Sequence, residues 1–217
     1  MEVQTPHGPA KAYLHPADAP RAALVLGHGA GGGVTAPDLV AVTEAARLEG
    51  VSVALVEQPY RVAGRRSPAP ARQLDAAWTA VVAHLLAAEL SGLPLIAGGR
   101  SAGARVACRT AAATGAAAVL CLAFPLVPPP RKGAAAAQSR LPELDAVTVP
   151  TLVVQGERDR FGTPPPSRNR KVVTVPGDHS LRTDTEAVAS EVRAWLGEIL
   201  EHDAGVRGAS PEAKNAL

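Results

Sequence analysis

Aromatic side chains and strong net charge are both scarce in this chain. Phe, Trp and Tyr together make up only 3% of the 217 residues, although 47% of the residues are hydrophobic. We therefore expect one domain with a core built from Ala, Val and Leu. The formal net charge is only +2, which argues against nucleic acid or an anionic membrane as the main partner.

Cysteine is also rare, and its two positions do not indicate a disulfide framework. Cys108 falls in a predicted helix and Cys121 in a predicted strand, which favours two buried thiols in a reducing compartment. No cluster of His, Cys and Asp residues has the spacing of metal ligands. We expect neither a metal nor another cofactor.

Export and membrane signals are missing from the pattern as well. Residues 1–5 contain no basic region followed by an apolar one, so no secretory signal is indicated. No uninterrupted apolar stretch is long enough to cross a bilayer. We expect a cytoplasmic protein, either monomer or homodimer, that does not bind membranes.

Apolar runs without alternation take turns with helical patterns along most of the chain. The predicted buried strands lie at 22–27, 51–56, 93–97, 117–124, 151–155 and 171–175, and the predicted helices at 38–49, 74–90, 104–113 and 185–200. This order predicts an α/β fold with a mostly parallel central sheet of about seven strands and helices on both faces. Residues 1–19 are expected to form an edge hairpin.

The predicted domain spans residues 1–201, and a polar tail follows over 202–217. Residues 125–150 are rich in proline and alanine and are predicted to be an irregular loop. Because no long insertion separates the strands at 117–124 and 151–155, we expect only this loop and no helical cap domain.

The most informative stretch joins the strand at 93–97 to the helix at 104–113. Gly99, Ser101 and Gly103 form a G-x-S-x-G motif, which is typical of a serine held at a sharp strand-to-helix turn. A Cβ two residues before or after that serine would collide with the facing backbone. Ser101 is therefore our candidate nucleophile.

A serine hydroxyl needs a base and a group that orients the base. Of the six histidines, only His179 lies in the turn directly after the last predicted strand, whereas His202 belongs to the terminal segment. Asp159 follows the preceding strand and fits the chain order serine, acid, histidine. Glu157, two residues upstream, is the alternative acid. We predict a catalytic set of Ser101, Asp159 and His179.

A glycine-rich loop, residues 28–33, follows the first buried strand. An oxyanion hole needs two backbone N–H donors, and we predict that Ala30 in this loop and Ala102 after the nucleophile supply them. The alternative is a phosphate cradle, but no Lys-Ser/Thr pair follows the glycines as it does in a P-loop. His28 is expected to be structural.

Three residues near these strand ends are candidates for substrate binding: Tyr60, Arg61 and Arg100. Tyr60 and Arg61 lie in the long loop after the strand at 51–56, and a solvated loop is the alternative there. Arg100 precedes the serine, and a salt bridge to a neighbouring loop is its alternative role.

Taken together, these motifs resemble the α/β-hydrolase superfamily over roughly residues 20–200. The matching segments are Gly-His-Gly-Ala-Gly-Gly, Gln-Pro-Tyr, Gly-Gly-Arg-Ser-Ala-Gly-Ala-Arg, Gln-Gly-Glu-Arg-Asp-Arg-Phe-Gly and Gly-Asp-His-Ser-Leu. More narrowly they are similar to the small lidless branch described as dienelactone-hydrolase-like or Tex30/KANL3-like. The resemblance implies Ser101 as nucleophile, Asp159 as acid, His179 as base and an oxyanion hole near Ala30 and Ala102.

One departure from that branch concerns the nucleophile. Dienelactone hydrolases proper carry a cysteine where this chain has Ser101, so their lactone substrate is not implied. We expect a serine hydrolase that cleaves an ester or thioester of a small acyl substrate through an acyl-enzyme. The alternatives are an acyltransferase or cyclase with the same residues, and a non-catalytic binding module that retains the fold.

Overall fold

The computed structural model describes residues 1–128 and 138–208, and within them eight strands form one sheet. The strands are β1 (Glu2–Val3), β2 (Ala10–His15), β3 (Ala22–Gly27), β4 (Val51–Glu57), β5 (Leu95–Arg100), β6 (Ala118–Leu122), β7 (Thr151–Gly156) and β8 (Arg170–Val175). Their order is β1-β2-β4-β3-β5-β6-β7-β8. From β4 to β8 in this order, all neighbouring strands are parallel. At the other edge, β1 pairs antiparallel with β2, and β2 pairs antiparallel with β4.

Helices cover both faces of this sheet. The described helices are α1 (Pro37–Leu48), α2 (Pro59–Val62), α3 (Ala71–Ala87), α4 (Ala102–Thr110), α5 (Leu141–Asp145) and α6 (Thr185–Gly208). Helices α1 and α6 pack on one face, and α3, α4 and α5 pack on the other. In the part of the chain that the structure describes, no helix combines the length and hydrophobicity needed to span a membrane.

The central strands lack a polar–apolar alternation because both of their faces are covered. In β3, Leu24 and Leu26 point toward α1 and α6, whereas Ala23 and Val25 point toward α3 and α4. Every residue of β3 is buried. This confirms the predicted parallel sheet with helices on both faces.

Several boundaries differ from the prediction. The sheet has eight strands rather than about seven, because the two-residue β1 pairs with β2 in the predicted edge hairpin. The short helix α2 lies in the stretch predicted as a loop. Helix α6 continues to Gly208 instead of ending at residue 200, so the first part of the predicted tail is helical.

The segment predicted as an irregular loop holds no cap among its described residues. Among the described residues between 125 and 150, the one regular element is the five-residue helix α5. Residues 129–137 of that segment, and residues 209–217 of the predicted tail, lie outside the described residues.

Glycines at three positions let β3, β5 and α4 approach one another closely. A Cβ at Gly99 would lie 2.6 Å from the carbonyl oxygen of Gly27 and 2.7 Å from the carbonyl carbon of Gly103. A Cβ at Gly103 would overlap the Gly27 carbonyl group itself. Backbone atoms cannot move aside as a flexible side chain can, so both positions of the G-x-S-x-G motif require glycine.

We expect Gly103→Ala to destabilise the protein severely, by about 3 kcal/mol or more, because the new methyl group must displace the backbone of β3. Urea denaturation followed by circular dichroism measures the change. Gly197→Ala is the matched control, since no described atom outside the backbone of α6 lies within 4 Å of its Cβ position. That exchange should stabilise the helix by about 1 kcal/mol. Equal stability of the two variants would contradict the close backbone contact.

Candidate active site

The residues that we predicted to act together follow four different strands of the sheet. Ala30 follows β3, Ser101 follows β5, Asp159 follows β7 and His179 follows β8. Parallel strands end at a common edge, and ligand sites of α/β sheets form there. The structure brings the side chains of Ser101, Asp159 and His179 into direct contact at this edge.

Ser101 occupies the sharp turn between β5 and α4. Its backbone has φ +52° and ψ −106°, a region that residues with a Cβ rarely adopt. The turn is held by the N–H of Ser101, which donates a 2.8 Å hydrogen bond to the carbonyl of Leu122 at the end of β6. As a result the side chain sits at the tip of the turn and is partly exposed to solvent.

Ser101, His179 and Asp159 form a continuous hydrogen-bonded series. The distance from Ser101 Oγ to His179 Nε2 is 2.9 Å, and that from His179 Nδ1 to Asp159 Oδ2 is 2.8 Å. Because a carboxylate only accepts, Nδ1–H is the donor to Asp159, and Nε2 is left to accept the serine hydroxyl proton. This is the tautomer that a general base requires.

The acid and histidine loops are packed against each other. A Cβ at Gly156, the last residue of β7, would overlap the carbonyl of Asp178 next to His179. The Phe161 ring lies 4.3 Å from the His179 ring, centre to centre, and the N–H of Phe161 donates a 2.9 Å hydrogen bond to Asp159 Oδ1. The carboxylate side chain of Asp159 is completely buried.

Neither predicted oxyanion donor has an acceptor for its N–H group among the described residues: the N–H groups of Ala30 and Ala102 donate no hydrogen bond there. Ala102 is the first residue of α4, so its N–H belongs to the unpaired first turn of that helix. The Tyr60 hydroxyl donates a 3.0 Å hydrogen bond to the Ala30 carbonyl and thereby anchors the glycine-rich loop.

His28 is buried at the start of the glycine-rich loop and is bonded on both sides. Its Nε2 accepts from the N–H of Gln58 at 3.1 Å, and its Nδ1 lies 2.8 Å from the carbonyl of Gly29. Nδ1 therefore carries the proton and donates it. Burial lowers the pKa of His28, and the nearby Arg61 guanidinium lowers it further. These contacts agree with the structural role expected for this residue.

Arg100 connects three loops of the site. Its Nη2 donates a 3.1 Å hydrogen bond to the carbonyl of His179, and a Cβ at Gly29 would lie 2.8 Å from Nη1. Its Nε lies 3.0 Å from Asp38 Oδ2 at the start of α1, without hydrogen-bond alignment, so this attraction is Coulombic. Burial raises the pKa of Asp38, although the Arg100 charge opposes that effect. The observed contact is the salt bridge that we considered as the alternative to substrate binding.

An open cavity of about 410 Å³ lies beside His179. It is lined by Arg100, Arg158, Arg160, Asp178, His179 and Ser180. Hydrogen bonds from Ser180 hold the pKa of the exposed Asp178 carboxyl below its ordinary value. Arg61, our third candidate for substrate binding, lies instead in α2 next to Tyr60.

The sequence analysis did not identify Asp38 or Gln155, although Asp38 pairs with Arg100 and Gln155 contacts Asp159. Gln155 is a polar residue at the end of an otherwise apolar strand, and Asp38 is an acid in the first turn of α1. A polar residue within an apolar strand and an acid at the start of a helix were the sequence signals that could have identified these two residues. Among the described residues, no group of three or more His, Cys, Asp and Glu side chains is placed to hold a metal ion.

Comparisons with known proteins give the same fold. A family model described as an alpha/beta hydrolase domain matches residues 20–196. No curated protein is similar enough in sequence to be matched.

Several solved structures superimpose on most of the chain at low sequence identity. Est1E from Butyrivibrio proteoclasticus, solved with ferulic acid bound, has a TM-score of 0.72 and 19% identity, covering 93% of this chain and 99% of that one. A lidless α/β serine hydrolase from Xanthomonas campestris has a TM-score of 0.69 and 17% identity, covering 93% of each chain. A dienelactone hydrolase from Anabaena variabilis has a TM-score of 0.72 and 17% identity, covering 91% of this chain and 95% of that one.

We expect the stability of the protein to fall as the pH drops below about 6.5, because unfolded His28 takes up a proton that the folded state excludes. The free energy of unfolding by urea, measured from pH 8 to pH 5.5, should change by at most about 1.4 kcal/mol per pH unit from this residue. His28→Asn should have a shallower slope, since every other ionisable group is the same in both proteins. Parallel slopes would contradict the prediction.

We also expect Arg100→Gln to lower the free energy of unfolding by about 3 kcal/mol, because it leaves the buried Asp38 carboxylate without its counter-ion. The double variant Asp38→Asn/Arg100→Gln removes both charges and should recover part of that loss. Urea denaturation of the three proteins tests the pair. A higher KM for an ester substrate at unchanged stability would instead assign Arg100 to substrate binding.

Proposed function

Since the chain belongs to the alpha/beta hydrolase domain family, we propose that it is a serine hydrolase that cleaves an ester or thioester through an acyl-enzyme. The single observation that carries this proposal is the hydrogen-bonded series of Ser101, His179 and Asp159, with distances of 2.9 Å and 2.8 Å. Ser101 is the nucleophile, His179 the general base and Asp159 the acid that orients the base.

In the first half of the reaction, Ser101 Oγ attacks the carbonyl carbon of the substrate. His179 Nε2 takes the hydroxyl proton as the new C–O bond forms, and it then delivers that proton to the leaving alcohol or thiol. Asp159 stays ionised, keeps the proton on Nδ1 and stabilises the positive charge that develops on the imidazole. A water molecule, activated by the same base, hydrolyses the acyl-enzyme in the second half.

The negative charge on the substrate oxygen needs donors that point at it before the reaction begins. The N–H groups of Ala30 and Ala102 fill this role in our proposal, and their lack of any other acceptor among the described residues supports it. Tyr60 supports the same arrangement indirectly, because its hydrogen bond to the Ala30 carbonyl holds that peptide unit in the loop.

A non-catalytic binding module is the weaker alternative on the observed geometry. Such a module has no use for a serine in the strained conformation seen at Ser101, which costs about 1–3 kcal/mol. The partial exposure of Ser101 also fits attack on a substrate from solution. The described part of the cavity beside His179 is open, so we propose small acyl substrates without a covering lid.

We expect Ser101→Ala to abolish both covalent labelling by a fluorophosphonate probe and hydrolysis of p-nitrophenyl acetate, because both reactions need the hydroxyl oxygen. Rates should fall by about 10³-fold or more. Labelling is measured by intact-protein mass spectrometry and hydrolysis by absorbance.

Ser91→Ala is the control, since Ser91 is exposed in the turn between α3 and β5, at the opposite end of β5 from Ser101. It should be labelled at the wild-type rate and with one equivalent of probe. Labelling that persists in Ser101→Ala would show that another residue is the nucleophile and would refute the proposal.

A further inference from the structure

Gln155 places one amide group at the junction of three segments around the acid. The residue lies next to the end of β7 and is fully buried. Its Nε2 lies 2.7 Å from Asp159 Oδ2, 2.9 Å from the carbonyl of Gly162 and 3.1 Å from the carbonyl of Phe124. Two N–H protons are therefore shared among three acceptors, the shortest contact being with the carboxylate.

We infer that Gln155 is a positioning residue, which fixes the orientation of the Asp159 carboxylate toward His179. This inference rests on the proposed function, since it assigns a role within the same set of residues. Asp159 Oδ2 accepts from both Gln155 and His179 Nδ1, while Oδ1 accepts from the N–H of Phe161. With both oxygens engaged from fixed directions, the carboxylate cannot rotate away from the imidazole.

The amide oxygen of Gln155 indicates that a contribution to stability alone does not account for a glutamine at this position. Its Oε1 is buried and has no hydrogen-bond partner among the described residues. An unpaired buried acceptor is unfavourable, whereas an apolar side chain of similar length would fill the space without that cost. Exchanging the amide oxygen and nitrogen would place the oxygen against three acceptors, so the donor end must face Asp159.

The amide also connects the acid to the strand that holds the nucleophile turn. Phe124, whose carbonyl accepts from Gln155, follows β6 two residues after Leu122, which accepts the N–H of Ser101. Gly162 closes the acid turn on its far side. A displacement of the Gln155 side chain would thus loosen the acid turn from the sheet edge that carries Ser101.

The test is Gln155→Met, which keeps an unbranched side chain of similar size but has no N–H donor. We expect kcat for p-nitrophenyl acetate to fall by about 10- to 100-fold with KM little changed, because the base loses its alignment rather than its substrate contacts. We also expect the downfield proton resonance of His179 Nδ1–H, measured by ¹H NMR, to disappear or shift upfield.

Gln58→Met is the matched control. Gln58 is likewise buried and follows the end of β4, but its Nε2 donates to the carbonyl of Leu74 and does not touch Asp159. This variant should keep the His179 Nδ1–H resonance at its wild-type position. Gln155→Asn retains the amide but shortens its reach by one methylene, and it should also lose the resonance; it carries the test if the methionine variant does not fold.

An unchanged resonance together with kcat within about twofold of the wild type would overturn the inference, because such a change is too small for lost alignment. A lower melting temperature with an unchanged resonance would also overturn it, since Gln155 would then serve stability only. The NMR readout does not depend on turnover. If wild-type Ser101 is not labelled but Gln155→Met still loses the resonance, the proposed hydrolase function fails while the positioning role stands.

Discussion

The close backbone contact between Gly27, Gly99 and Gly103 is the constraint on which the site depends. It brings the end of β3 against the start of α4, with no side chain between them. The glycine-rich loop leaves β3 directly after Gly27, and Ser101 lies between the other two glycines. A single packing contact therefore sets the distance between the loop that carries Ala30 and the turn that carries Ser101.

The sequence was sufficient to predict the parts of the fold that follow from burial on both faces. Uninterrupted apolar runs predicted β3 with its observed bounds and the other central strands to within a few residues. The residues after those strands could then be ordered along one sheet edge, which is why a census of histidines led to His179. The contact of His179 with Ser101 and Asp159 is a consequence of that topology.

Contacts that depend on side-chain direction were beyond prediction from the sequence. The pairing of Arg100 with Asp38 joins a residue before the serine to the first turn of a distant helix, and no spacing rule relates the two positions. Gln155 is a similar case, since its three acceptors come from two loops and become neighbours only after folding. The end of α6 was missed for another reason: polar residues after position 201 weaken the apolar pattern but do not prevent helix formation.

The position of His179 after β8, the last strand along the chain, has a consequence for synthesis on the ribosome. A nascent chain that has emerged through the turn after β7 already contains Ser101 and Asp159, but it still lacks His179. A serine hydroxyl without a base is a poor nucleophile. Under the proposed function, translation therefore delivers the proposed base, His179, after the proposed nucleophile and acid, so incomplete chains would stay inert toward acyl donors.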